Sequence, residues 1–380
     1  MSMVKLADVC RIRYGKDHKR LESGDVPVFG SGGVMRYVAE KIYDGPSVLI
    51  PRKGTLGNLF FSEGPFWTVD TLFWTEINES RVLPRYLYYA LKNRDLASLN
   101  IGTAVPSLSV DVLNEVELRL PGMAEQATVT CLLGSLDAKV SLNNQINGYL
   151  AELVTTISKE LYREYDTDNV DLPAGWRRVR IKDIATFVSR GITPKYDEES
   201  DEIILGQTCI RGNHILVENG RHHRPKRINY KWLQKGDLLI NSTGVGSLGR
   251  TAQVWFTPEK LVVDSHITIV RASSPEYALY LGFWAFAHER YIESLHTGST
   301  GQTELPRDHV KSISLVLPDS ETLDRFNAIA EPATEVIVAN QAENRRLSTL
   351  RDILLPKLMS GEIDVSKVDL MQLNSHLSGC

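Results

Sequence analysis

The chain reads as an α+β protein in which one architectural unit occurs twice. Three observations predict this. Two long stretches, near residues 124–163 and 321–359, carry apolar residues at spacings of three, four and seven, the period of a helix with one buried stripe. Before each lies a segment of short strand-like runs broken by Gly and Pro turns. The runs follow the same order in both segments.

The first segment opens on Leu6-Ala7-Asp8-Val9-Cys10 and a strand-like run to Gly15. A turn-rich stretch leads to Val48-Leu49-Ile50, then to the polar loop from Arg52 to Asn58. Strand-like residues follow Val69-Asp70-Thr71. Residues 84–92 form a helix with Pro84 in its first turn, where a missing N–H costs nothing. A loop at Gly102–Leu108 precedes a last alternating strand, 116–120, and the first long helix begins. There Val129, Leu136, Asn143, Leu150 and Ile157 recur every seventh residue, flanked by Leu133, Val140, Val154 and Leu161.

The second segment echoes each step. Ile181-Lys182-Asp183-Ile184 matches Leu6 to Val9, Leu238 to Gly244 matches Val48 to Gly54, and Val263-Asp264-Ser265 matches Val69-Asp70-Thr71. An aromatic-rich helix spans 277–288, and Ile313 to Pro318 matches the closing strand. The offset grows from 175 (Leu6 to Ile181) to 190 (Gly54 to Gly244) to 197 (Pro121 to Pro318). Insertions therefore fall in loops while the scaffold is kept, as suits two modules with one job and different specificities. The second long helix carries Phe326, Ala333, Asn340, Leu347 and Leu354, with Ile329, Val336, Ile337, Leu350 and Leu358 beside them.

Composition bounds the function class. With 42% hydrophobic and 24% charged residues the chain is ordinary for a globular protein. No apolar run approaches the roughly 18–20 residues of a membrane span, and residues 1–10 lack a signal-peptide core. The expectation is a cytoplasmic protein without a membrane partner. Cys10, Cys131, Cys209 and Cys380 are scattered, which argues against a zinc ribbon or a disulfide framework. The net charge of −4 divides into +1 over residues 1–122, −2 over 123–165, 0 over 166–319 and −3 over 320–380. A polyanion would meet the globular segments, through local patches.

Catalytic signatures are missing. Gly244-Val245-Gly246-Ser247-Leu248-Gly249-Arg250-Thr251 nearly spells a phosphate-binding loop, but Arg replaces Lys and a strand follows where a helix is needed. The adjacent His222-His223 pair is poorly placed to share a metal. An adenine methyltransferase would need an Asn/Asp-Pro-Pro-aromatic tetrapeptide, and the chain has no Pro-Pro.

Other features suit DNA contact. Arg221-His222-His223-Arg224-Pro225-Lys226-Arg227 is a basic run before Tyr230 and Trp232, and Lys16, His18, Lys19 and Arg20 form a weaker one. The paired loops offer donors for base edges and phosphates: Arg52, Lys53, Thr55 and Asn58 in the first segment, and Asn241, Ser242, Thr243, Ser247 and Arg250 in the second. Ser107, Arg190, Thr300 and Gln302 complete the candidate DNA-binding set.

With these residues assembled, the chain resembles the specificity subunits of type I restriction-modification enzymes. The resemblance is carried by Leu132 to Asn143 with Ile146, Asn147 and Leu150, by Leu350 to Ile363, and by Gly175-Trp176 through Ile184. It implies an α+β fold of two similar target-recognition domains separated by two long antiparallel helices with a pseudo-twofold relation. The expected boundaries are domain 1 at 1–122, spacer helix 1 at 123–165, domain 2 at 166–319, spacer helix 2 at 320–360, and a weakly held tail at 361–380. The resemblance also implies a non-catalytic subunit. Each domain would read one half of a bipartite site in double-stranded DNA. Two modification subunits would dock on the helices, and restriction subunits would join them. No cofactor is expected in this chain; S-adenosylmethionine and ATP with Mg belong to the partners.

The other readings are a coiled-coil assembly protein without DNA specificity and a complete methyltransferase with a divergent motif. Asn143 and Asn340 occupy heptad positions near the middle of their helices. They are expected to lie side by side and fix the register of the pair, with Leu136 near Leu347 and Leu150 near Ala333.

Overall fold

The structure is a computed structural model that describes residues 2–102, 104–165, 170–224, 231–298 and 303–365. Of the candidate residues, Lys226, Arg227, Thr300 and Gln302 lie outside these. The chain divides into two compact units: residues 1–141 with 343–380, and residues 142–342. Both long helices are therefore shared. Each unit takes part of one helix and the complementary part of the other.

In the first unit the order is β1 (Ser2–Lys5), β2 (Cys10–Tyr14), β3 (Val26–Gly30), β4 (Gly33–Val38), β5 (Tyr43–Asp44), β6 (Ser47–Pro51), β7 (Phe60–Ser62), β8 (Pro65–Thr68), β9 (Leu72–Ile77), α1 (Pro84–Lys92), α2 (Val110–Asn114), β10 (Glu117–Leu120) and α3 (Met123–Tyr162). One antiparallel sheet is ordered β2-β9-β6-β7, a mixed sheet β4-β3-β8-β5, and β1 pairs with β10. All of β6 is buried, so it reads as a continuous apolar run rather than an alternating one. Val48 and Ile50 face a core with Phe73, Leu87 and Leu91, and Val129 and Leu133 of α3 pack on the same core.

The second unit repeats the plan with β11 (Arg177–Arg180), α4 (Ile181–Ile184), β12 (Ala185–Arg190), β13 (Ile203–Leu205), β14 (Ile210–Arg211), β15 (His214–Ile215), β16 (Arg221–His222), β17 (Leu238–Asn241), β18 (Thr251–Gln253), β19 (Leu261–Val263), β20 (Ile267–Ala272), α5 (Pro275–Ala287), α6 (Glu289–Ser294), α7 (Arg307–Ser312), β21 (Ser314–Leu317) and α8 (Ser320–Ser360). Sheet β12-β20-β17-β18 matches β2-β9-β6-β7, β16-β13-β19 matches β4-β3-β8, and β11-β21 matches β1-β10. Even the parallel pairing of β3 with β8 returns as β13 with β19. The duplication read in the sequence is thus a duplication of topology.

Side chains hold the starts of both long helices, and in α8 one satisfies a first-turn N–H. Asp319 caps α8 by accepting from the Thr322 N–H at 2.8 Å. Gln126, buried at the start of α3, accepts from the Leu83 N–H at 2.8 Å and donates to the Pro121 carbonyl at 2.9 Å, so it ties α3 to α1. The helices run antiparallel within each unit. Arg351 meets Asp137 at 2.9 Å and Glu343 meets Lys139 at 3.5 Å in the first. In the second, Asn340 donates to Asn147 at 2.8 Å.

Asn147 lies one turn beyond Asn143 on the same helix. One expectation needs correction here. Ile329, Val336 and Leu350, placed on the buried stripe by spacing, are exposed, as are Leu153 and Tyr149 of α3. Beyond α8, Val365 is buried and Ile363 packs on the first core, so residues 361–365 are held.

Candidate nucleic-acid interface

In the first unit, β6 delivers Arg52 to the end of the sheet. Its guanidinium lies over the Tyr14 ring, 5.4 Å from the centroid, and donates to the Asp70 carbonyl at 3.3 Å. The Gly54 N–H bonds the Pro106 carbonyl at 3.1 Å, and the Leu108 N–H bonds that of Arg52 at 2.9 Å. Asn100 holds the second loop from inside, its Oδ1 accepting from the N–H groups of Gly102 and Ser107, each at 2.8 Å. Asn58 donates to the Ser31 carbonyl at 3.0 Å, binding the loop to the β3–β4 turn. Arg52, Lys53, Thr55, Asn58 and Ser107 therefore gather at one end of the domain, with Lys53 and Thr55 exposed. The segment with Lys19 and Arg20 reaches the same end, because the Lys16 N–H bonds the Thr68 carbonyl at 2.8 Å. Lys19 and Arg20 are both exposed.

The matching end of the second domain is more polar. The Thr243 hydroxyl accepts from the Gln207 amide at 2.9 Å and shares a hydrogen bond with His266 Nδ1 at 2.8 Å. Thr243 also bridges to Glu304 through the backbone. Arg190 donates to the Glu304 carboxylate at 2.7 Å and to the Leu305 carbonyl at 2.8 Å. Lys231 donates to the carbonyls of Arg190 and Gly191 at 2.7 and 3.1 Å. Burial first, and then the charge of Arg307, holds its ammonium below the usual lysine range.

Some candidates are spoken for. Asn241 and Ser242 are wholly buried: Asn241 donates to the Gln207 carbonyl at 3.2 Å, and Ser242 shares a hydrogen bond with Thr268 at 2.7 Å. They shape the loop and do not face a ligand. Strand β17 is covered on both sides, so its last residue and the one after it stay inside. Ser247 turns its hydroxyl back on the Thr243 carbonyl at 3.3 Å. Arg224 is ion-paired with Asp197, while Arg250 is half-buried at the base of its loop. Sequence reasoning missed Gln207, His266, Lys231 and Arg307. Lys231 lies four residues after the basic run, and His266 follows the repeated Val-Asp-Ser/Thr motif; both signals are in the sequence. Gln207 gives none.

His266 faces Thr243, and Asp264 accepts from the His266 backbone N–H at 2.8 Å rather than from its ring, unlike the carboxylate of a hydrolytic triad. Burial raises the Asp264 carboxyl above the usual range. The loop resembling a phosphate-binding motif runs into strand β18 rather than a helix. Among the described residues no group of three or more His, Cys, Asp or Glu is placed to hold a metal. No helix among them is long and apolar enough to cross a membrane.

Comparison with known proteins agrees with this architecture. Residues 1–151 match the family described as "Type I restriction modification DNA specificity domain". Over most of its length the chain is similar to type I restriction enzyme specificity subunits. It is 22% identical over 356 residues to the type I restriction enzyme MjaIX specificity subunit of Methanocaldococcus jannaschii, covering 86% of this chain and 80% of that one. The HindI specificity subunit of Haemophilus influenzae is 20% identical over 375 residues, covering 78% and 81%. The fold matches the crystal structure of a type I restriction-modification S subunit from M. genitalium with a TM-score of 0.59 at 15% identity, over 94% of this chain and 96% of that one.

Proposed function

We propose that this chain gives DNA sequence specificity to a type I restriction-modification complex, each domain reading one half of a bipartite site. The observation that carries this reading is the contrast between scaffold and loops. Two of the sheets repeat strand for strand, and the third repeats three of its four strands. At the shared end, however, one domain offers Arg52, Lys53 and Thr55 and the other Gln207, Thr243 and His266. Equal scaffolds with unequal donors suit two different half-sites.

The helices serve as the docking surface for two modification subunits. Leu153 of α3 and Leu350 of α8 are equivalent in the repeat and are 50% and 45% exposed. Tyr149, Ile329 and Val336 are also exposed. Leu153 and Leu350, left uncovered at matching places, suit two copies of one partner. On this reading S-adenosylmethionine binds the modification subunits, ATP with Mg binds the restriction subunits, and the assembly works in the cytoplasm.

The test is a gel shift with the full chain, with and without its modification subunits, joined to methylation-sensitive sequencing of the host genome. The expected result is a split motif that disappears when the chain is deleted. An unchanged methylation pattern after deletion would favour the assembly protein without DNA specificity.

A further inference from the structure

We propose that Val245 is a specificity-determining residue of the second domain, making apolar contact with the 5-methyl group of a thymine in the major groove. This rests on the DNA-recognition reading above.

The loop from Gly244 to Gly249 is fixed from inside. Gly244 and Gly246 have φ of +93° and +72°, a region that side chains disfavour. A Cβ on Gly244 would lie 2.5 Å from Ser247 Oγ, and one on Gly249 would lie 2.7 Å from Glu293 Cβ. Leu248 is buried in the domain core. The N–H groups of Ser247 and Leu248 both bond the Gly244 carbonyl, at 3.2 and 3.0 Å. The Ser247 hydroxyl faces the carbonyls of Thr243 and Gly244. Of the three side chains between the glycines, only Val245 points outward, and it is 87% exposed.

A single exposed valine is ordinary on a protein surface. This one is the tip of a turn whose other groups face inward, next to Thr243, which is tied to Gln207 and His266. Valine has no donor or acceptor to offer a phosphate or a base edge. Its branched side chain has little rotamer freedom to lose. The apolar feature of a base pair in the major groove is the thymine methyl. The position 190 residues earlier is Thr55, also exposed and also carrying a methyl.

The experiment uses the full chain assembled with its modification subunits. Its site is first selected from a randomised duplex pool. Each thymine is then replaced singly by uracil, which deletes only the methyl. One replacement in the second half-site is expected to weaken wild-type binding about fourfold, the worth of one buried methyl-sized group. The Val245→Ser protein should bind both duplexes nearly equally, Val245→Ile should retain the discrimination, and first-half replacements should act alike on all three proteins. Equal losses for wild type and Val245→Ser at every thymine would overturn the proposal, as would the absence of any loss in the second half-site. Selection of no preferred sequence by the wild-type assembly would instead overturn the DNA reading, and this inference with it.

Discussion

Asn340 donates its side-chain amide to the Oδ1 of Asn147 at 2.8 Å, joining the two long helices through a neutral polar pair. Asn147 is buried, and the fully buried Asn143 sits one turn before it on the same face. An apolar pair would stabilise more but would tolerate sliding, whereas an amide left without its partner costs about 1–3 kcal/mol. Asn147→Leu is therefore expected to destabilise the second unit by about that amount. Asn147→Leu with Asn340→Leu should recover most of the loss. Urea unfolding of the three proteins checks this, and a double variant as weak as the single one would show that the pair does not set the register.

Tyr89, Asp137 and Arg351 anchor α1 to both long helices in the first unit. The buried phenol donates to Asp137 at 2.7 Å, and Arg351 reaches the other carboxylate oxygen at 2.9 Å. Burial first, and then the Asp137 hydrogen bond, raises the Tyr89 pKa above its ordinary value. The folded state thus favours the neutral phenol, while the unfolded chain ionises near pH ~10. The contribution is fully present below that pH and is lost as pH rises past it. Tyr89→Phe should lower stability at pH 8 by about 1.5–3 kcal/mol, the worth of a hydrogen bond to a charged group. It should also flatten the alkaline decline in melting temperature, and a decline as steep as in wild type would place its cause elsewhere.

The scaffold was legible in the sequence because burial has a period. β6 and β17 show as apolar runs and α3 and α8 as heptads, and each occurs twice. The site was legible only in outline. Arg52, Lys53 and Thr55 were found because they follow a strand end. Asn241 and Ser242 follow one too, but the covering of β17 on both faces cannot be read from a local pattern. Gln207 meets Thr243 across 36 residues, a contact that only the tertiary fold creates. The exposed Ile329, Val336 and Leu350 carry the same heptad signal as the buried Phe326 and Ala333. Periodicity marks an apolar position without saying whether this chain or a partner covers it.

Asp319 gives an acid-side prediction. Its hydrogen bonds with Thr322 hold the carboxyl below the usual range. A depressed carboxylate contributes stability above its unfolded pKa of about 3.9 and loses it as pH falls through the lower, folded value. Asp319→Ala should lower the melting temperature of the second unit at pH 7. The gap from wild type should narrow as pH drops below ~4 in a scanning calorimetry series. A gap that stays constant with pH would assign the loss to packing rather than to the charged cap.

Salt dependence separates the cations of the basic run. Removing one phosphate-binding cation lowers the slope of log affinity against log salt by about 0.9 for duplex DNA. Arg224 already holds the Asp197 carboxylate, with Glu199 at 3.9 Å. Much of its charge is therefore compensated before DNA arrives, and Arg224→Ala should change the slope by well under one. Asp197→Asn removes that compensation and should steepen the slope and tighten binding at low salt. Lys226→Ala with Arg227→Ala should reduce the slope by up to about two and weaken binding to all sequences alike. Titrations between 50 and 200 mM salt, roughly the range where such interactions dominate, measure all three. An unchanged slope for the Lys226 and Arg227 pair would show that the run is solvated surface. A drop of a full unit with Arg224→Ala would show that DNA displaces Asp197 from its arginine.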